Sequence, residues 1–96
     1  MQTDKVRSYL GFARRAGKLT LGVNGAATLK KGVFLLLADH SAAKNTQKEI
    51  LKLQQKLSCP LLFTDDLEGL TGKAGCKLAA VREEHLAQAI ARALQD

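Results

Sequence analysis

The chain has 96 residues, of which 46% are hydrophobic, with three Phe, one Tyr and no Trp, and its formal net charge is +6. This length fits a single domain, residues 1–96, and the apolar content supports a modest core and argues against disorder. No apolar run is long enough for a membrane span, and the N-terminal segment lacks the apolar stretch of a signal peptide. We therefore expect a soluble, cytoplasmic protein with no membrane partner; a monomer is favoured, but the sequence leaves the oligomeric state open.

The positive charge is concentrated in the first part of the chain. Residues 1–56 contain eleven Lys or Arg against three acidic residues, whereas residues 57–96 contain four against six. Such asymmetry is typical of a protein that binds a polyanion on one face, most often nucleic acid and less often an acidic membrane surface. A solvated basic face without a partner is the alternative.

Cys59 and Cys76 have neither a CxxC motif nor a histidine pair nearby, which indicates buried free thiols rather than a disulfide, metal or redox site. The adjacent carboxylates of Asp65 and Asp66 lie at a predicted helix start, where the helix dipole explains them without a metal. We therefore expect no metal and no cofactor.

Hydrophobic periodicity and turn residues divide the chain into alternating helices and strands. In chain order we predict a helix over 4–16, a strand over 18–21, a helix over 24–31, a strand over 33–38, a helix from 41–44 to Leu57, a strand over 60–63, a short helix that opens at 64–68 and closes at Gly72 or Gly75, a strand over 77–81 and a helix over 82–95. This order predicts an α/β fold, a three-layer α/β/α sandwich with a small mixed sheet of about four strands.

Three details of these elements can be checked in a structure. Thr3 or Asp4 is expected to cap the first helix, which Gly17 ends. Residues 65 and 68 have the spacing of a capping box. Gly25 costs about 1 kcal/mol relative to Ala inside a helix, so either the first turn is irregular or another group approaches closely there.

Residues 17–32 join a short strand to a helix through a turn at Gly22. Glycine can adopt a positive φ without steric cost, and the N–H groups at the start of the next helix are unpaired, which suits a phosphate or a base edge. RNA is therefore one interpretation of this turn, and an ordinary connection capped by Asn24 is the other. The cationic residues around it are Arg14, Arg15, Lys18, Lys30 and Lys31.

Two further groups of residues are candidates for function. A lysine ridge is formed by Lys44, Lys48, Lys52 and Lys56. Its repeat of four residues on a helix describes either a solvated face or part of a binding surface. Asp39 and His40 follow the strand 33–38, where α/β sheets commonly place ligands, but such a pair more often caps the next helix. No HExxH, GxSxG or Walker motif is present, so we expect no enzyme and no catalytic residue.

The sequence resembles a known family in four segments and a glycine between the first two. The block LGFARRAGKL at residues 10–19 is followed by a glycine near position 22, then by VFLLLAD and by Asn45-Thr46-Gln47-Lys48, and EGLTGKAG at residues 68–75 resembles a later family segment. The likeness extends over nearly the whole chain. These segments are similar to the bacterial YlxQ-type proteins of the ribosomal L-seven-Ae, L-thirty-e, S-twelve-e and Gadd-forty-five superfamily.

This resemblance implies an α/β/α domain that binds kink-turn RNA, including ribosomal RNA, within ribonucleoprotein particles. It places Gly22 at the loop glycine and Asn24 at the polar position that follows it, next to Val23. Gly25 stands where the family commonly has an acidic or amide residue that reads bases. A second loop, which in the family packs against an extruded nucleotide, corresponds to Lys73, Ala74, Gly75 and Cys76. Thr28 stands where the family often has a lysine. We therefore expect a non-catalytic RNA-binding protein. One alternative is a ribosome-associated or protein-interaction adaptor with weakened RNA reading. Another is a small anion-binding regulator or enzyme that uses Asp39 and His40.

Overall fold

The computed structural model describes residues 2–95 as a chain of alternating helices and strands. The elements are α1 (Thr3–Arg15), β1 (Leu19–Leu21), α2 (Val23–Ala27), β2 (Leu35–Asp39), α3 (Lys44–Leu57), β3 (Leu61–Thr64), α4 (Leu67–Thr71), β4 (Leu78–Val81) and α5 (Glu84–Gln95). Among residues 2–95, none of the helices combines the length and the apolar character that a membrane span requires.

The strands described form one mixed sheet in the order β1-β4-β2-β3. β4 pairs antiparallel with both β1 and β2, and β2 pairs parallel with β3. All five residues of β2 are buried, as expected for a central strand covered on both faces. The apolar run predicts a strand that starts at Val33, but β2 begins at Leu35, and Phe34 before it is 40% exposed.

Side chains of the sheet alternate between two cores. Leu35 and Leu37 face α1, α4 and α5, where they pack among residues such as Leu10 and Ile90. Leu36 faces α2 and α3, where Ile50 lies in the same cluster. Helices therefore cover both faces of a small mixed sheet, and the predicted α/β/α sandwich is confirmed.

Most predicted elements occur close to their expected positions, but α2 does not. It ends at Ala27 rather than Lys31, because the chain leaves the helix at Thr28, whose hydroxyl donates to the carbonyl oxygen of Gly25 (2.7 Å). Lys30 and Lys31 consequently lie in the loop that precedes β2, and the prediction that they extend the same helix as Asn24 is wrong.

The predicted N-terminal caps of α1 and α4 are also wrong. Gln2, not Thr3 or Asp4, is the N-cap of α1, and it makes no side-chain cap hydrogen bond. The N-cap of α4 is Asp66, which accepts from the N–H of Gly69 (3.1 Å). Residue 65 therefore forms no capping box. Gly17, with a φ of 69°, does follow the end of α1 as expected.

Candidate nucleic-acid interface

Gly22 connects β1 to α2 in a backbone conformation that suits glycine. Its φ is 90° and its ψ is 154°, a combination that residues with a Cβ rarely adopt. Its N–H donates to the carbonyl oxygen of Leu78 on β4 (2.7 Å), and its own carbonyl oxygen accepts from the N–H of Ala26 (3.1 Å). The turn is thus fixed against the end of the sheet, and the N–H of Gly22 is already paired.

The loop between α4 and β4, which we call the second loop (residues 72–77), lies beside this turn. The ammonium nitrogen Nζ of Lys73 is 3.6 Å from the position that a Cβ on Gly22 would occupy. Residues that are about fifty positions apart in sequence therefore form one surface. The Gly22 turn and the second loop are therefore neighbours in the fold.

Hydrogen bonds hold the second loop in shape. Gly72 and Gly75 adopt φ values of 76° and 72°. The N–H of Lys73 donates to Thr71 Oγ1 (3.3 Å), and the N–H of Gly75 donates to Glu68 Oε2 (3.1 Å). Lys73 is exposed, and its side chain thus projects from a constrained backbone.

Ala74 and Cys76 occupy different environments in this loop. Ala74 is exposed at the surface. Cys76 is only 2% exposed, and its thiol donates to the carbonyl oxygen of Leu78 (3.4 Å). Its side chain therefore belongs to the core and not to a surface that a ligand can touch. Cys59 is also a buried free thiol, and burial raises its pKa.

The start of α2 forms the other side of the candidate site. Asn24 is exposed, and Val23 is half-buried. A Cβ on Gly25 would stand 3.0 Å from Thr20 Cγ2 on β1, so this glycine lets the helix approach the strand. α2 has only five residues, and its dipole is accordingly small. Attraction for an anion must therefore come mainly from lysine side chains.

Lys18 and Arg15 lie away from the Gly22 turn. Lys18 precedes β1 and Gly22 follows it, so four steps of extended chain, about 13 Å, separate them. The guanidinium carbon of Arg15 lies 4.9 Å from the centre of the Phe12 ring, at the C-terminal end of α1. The structure does not bring these two cations together with Gly22.

Arg14 is closer to the second loop. Its Nη1 donates to the carbonyl oxygen of Thr71 (3.2 Å), the last residue of α4. The side chain lines a cleft of about 230 Å³ between α1 and α4, together with Arg7 and Gly72. Arg14 thus supports the backbone that leads into Lys73.

Asp39 has a structural role that the sequence only partly indicated. It is 5% exposed. Its Oδ1 accepts from the N–H and the hydroxyl of Ser41 (2.8 and 2.7 Å), and its Oδ2 accepts from the N–H of Leu67 (2.8 Å). Burial alone raises the pKa of Asp39, but these hydrogen bonds and the charge of Lys77 outweigh it and lower the pKa to about 2. Such a carboxylate is a weak base at neutral pH.

His40 lies at the surface next to Asp39, with its ring stacked on Phe63 at a centroid distance of 5.5 Å. Carboxylates from residues 65, 66 and 68 line the same open cleft of about 410 Å³. Their negative charge disfavours an anion here. Among residues 2–95, no group of three His, Cys, Asp or Glu is placed to hold a metal ion. The end of β2 is therefore a weaker candidate than the Gly22 turn.

The comparisons with known proteins support the fold. A scan against models of protein families finds no match, and a search of curated proteins finds none either. Among solved structures, the chain is similar to a Bacillus halodurans C protein of unknown function, with a TM-score of 0.76 and 22% sequence identity. The match covers 96% of this chain and 98% of the other. At that identity the likeness extends to the fold alone.

Proposed function

We propose that this chain is a non-catalytic RNA-binding protein whose binding surface is centred on the Gly22 turn and the second loop. The observation that carries the proposal is the proximity of these segments, with the Lys73 ammonium directly beside the glycine backbone. A cation next to a backbone that lacks a side chain leaves room for a phosphate group to approach. Asn24 adds an exposed amide on the same turn, which can hydrogen-bond a base edge.

The expected ligand is a structured RNA with a bend or an internal loop, such as a kink-turn in ribosomal RNA. Sequence-specific recognition of RNA depends on unpaired bases that leave the helix stack, and a bend presents them. The chain offers few aromatic rings for stacking, so backbone contacts, the Asn24 amide and cationic side chains would provide most of the recognition. Cationic side chains close to the turn, Lys73 first among them, would supply the salt-dependent part of the affinity.

The test is a titration of the full chain with a labelled kink-turn RNA and with a straight duplex of matched length, at about 50 and about 200 mM salt. We expect tighter binding of the bent RNA and weaker binding of both RNAs at the higher salt. Lys73→Gln should weaken binding and lower the salt slope by about 0.9 for each phosphate that is no longer neutralised. Asn24→Ala should instead reduce the preference for the bent RNA.

Lys18→Gln is the matched control, because it removes the same charge from the opposite end of β1. Equal weak binding of the two RNAs by the wild-type chain, unaffected by salt, would refute the proposed function. If Lys18→Gln impairs recognition of the bent RNA as strongly as Lys73→Gln, the function could stand, but the binding surface would not be centred on the Gly22 turn.

A further inference from the structure

The groove between α2 and α3 begins at the candidate RNA surface. It has a volume of about 240 Å³ and is mostly apolar. Its lining residues are Val23, Ala27, Glu49, Lys52, Leu53 and Lys56. Val23 immediately follows Gly22, so one end of the groove adjoins the turn that the proposed function places at the centre of the site.

Lys52 and Lys56 belong to the lysine ridge, and they are the members of the ridge that line this groove. The Nζ of Lys56 donates to the carbonyl oxygen of Ala27 (3.1 Å), which is the last residue of α2. Lys56 therefore ties α3 to α2, and Lys52 lines the groove one helical turn before it. Both charges lie along an apolar floor, an arrangement that suits a ligand with apolar and anionic parts.

The groove also lies between basic residues at the two opposite ends of the sheet. α2 runs from the Gly22 end of the sheet, and the loop after Ala27 carries Lys30 and Lys31 toward Phe34, whose N–H donates to the carbonyl oxygen of Val81 at the other end of the sheet. Cations thus occur at the turn, along the groove and beyond it. An extended polyanion could contact them in sequence.

We propose that this groove binds a single-stranded segment of RNA that continues from the bend held at the Gly22 turn. The inference rests on the proposed function. Riboses and bases would pack on Val23, Ala27 and the edge of Leu53, while the ammonium groups of Lys52 and Lys56 contact phosphates. Lysine binds phosphate as a point charge, and apolar surface receives unstacked nucleotides.

Glu49 is the anionic residue in the groove lining, and removing its charge should change RNA affinity in a direction that can be tested. Its carboxylate lies on the same lining as the two lysines and would repel a phosphate that passes it. Glu49→Gln removes this repulsion without a large change in volume. The variant should therefore bind the single-stranded segment more tightly than the wild type.

The experiment compares a kink-turn RNA that ends flush with the same RNA carrying a single-stranded oligouridine extension of about six nucleotides, a length within the range covered by small single-strand-binding folds. The wild-type chain should bind the extended RNA more tightly. Lys52→Gln should abolish this gain and lower the salt slope for the extended RNA by about 0.7. It should leave binding of the flush-ended RNA unchanged, and Lys52→Arg should restore the gain.

Lys48→Gln is the control, since it removes the same charge from the ridge but not from the groove. An extension that adds no affinity, or an equal effect of Lys48→Gln and Lys52→Gln, would overturn the groove proposal even if the preference for bent RNA is intact. A chain without that preference would instead refute the proposed function. Displacement of the extension by a protein from nuclease-treated extract, with flush-ended RNA still bound, would assign the groove to a protein partner and also overturn the proposal.

Discussion

Asp39→Asn tests the assignment of Asp39 as a structural group. The carboxylate accepts three hydrogen bonds, two from Ser41 and one from the N–H of Leu67. The asparagine amide has only one oxygen. Its NH₂ group must therefore take the place of either Oδ1 or Oδ2 and face a hydrogen-bond donor there. At least one donor then loses its acceptor, and for a buried donor such as the N–H of Leu67 this typically costs about 1–3 kcal/mol.

The pKa of Asp39 reflects the same hydrogen bonds and gives a second magnitude for their contribution. It falls from an ordinary value of 3.8 to about 2 in the folded protein, which corresponds to about 2 kcal/mol of the free energy of unfolding. Because the folded pKa is lowered, this contribution is complete above the unfolded pKa. It is lost as the pH falls from about 4 toward 2, since the unfolded chain takes up the proton first.

The assay is urea unfolding followed by circular dichroism, from pH 7 down to pH 3. We expect Asp39→Asn to be about 2–3 kcal/mol less stable than the wild type at pH 7, with a smaller difference at pH 3. Asp65→Asn is the control, because Asp65 is exposed and should lose less than about 0.5 kcal/mol. A loss below that level for Asp39→Asn at pH 7, or a difference that does not shrink in acid, would refute the reasoning.

Two further substitutions test the turn and the core. Gly22→Ala should lower the free energy of unfolding by about 1–3 kcal/mol because of its φ of 90°, and it should also reduce the preference for bent RNA. Gly17→Ala, likewise at a positive φ but with nothing within 4 Å of its added Cβ, should lower it by about 1–2 kcal/mol and keep that preference. Equal RNA preferences in the two variants would contradict the placement of the site. Leu37→Ala, at a fully buried position in the central strand, should lower the free energy of unfolding in urea by about 2–5 kcal/mol. Leu51→Ala, at a position 49% exposed, should change it by less than about 0.5 kcal/mol. Similar losses for both variants would contradict the assignment of the core.

Long elements with a clear apolar pattern are predictable from this sequence. The pattern predicts α3 from residues 41–44 to Leu57, and the helix occupies Lys44–Leu57 with Ile50, Leu53 and Leu57 buried. The apolar run before Asp39 likewise identifies the central strand. In both cases the apolar pattern extends over enough residues to identify the element, even where single residues have a low propensity for it.

Short elements are less predictable, since a single interaction decides where they end. α2 stops four residues early because Thr28 turns the chain. The cap of α4 is Asp66 rather than its neighbour, because the Asp66 side chain is the one that accepts from the N–H of Gly69 (3.1 Å). The spacing of residues along the sequence does not distinguish two adjacent aspartates as caps. Only the backbone conformation in the folded protein does so.

By itself the sequence determined the α/β class, the central strand, the buried cysteines and the basic character of the first 56 residues, because these follow from composition and from periodic burial. Tertiary structure alone decided which of the basic residues are neighbours. It placed Lys73 beside Gly22 and aligned Lys52 and Lys56 with α2, while leaving Lys18 at the other end of β1. Charge can be counted along a chain, but a binding surface depends on how the sheet and helices bring distant segments together.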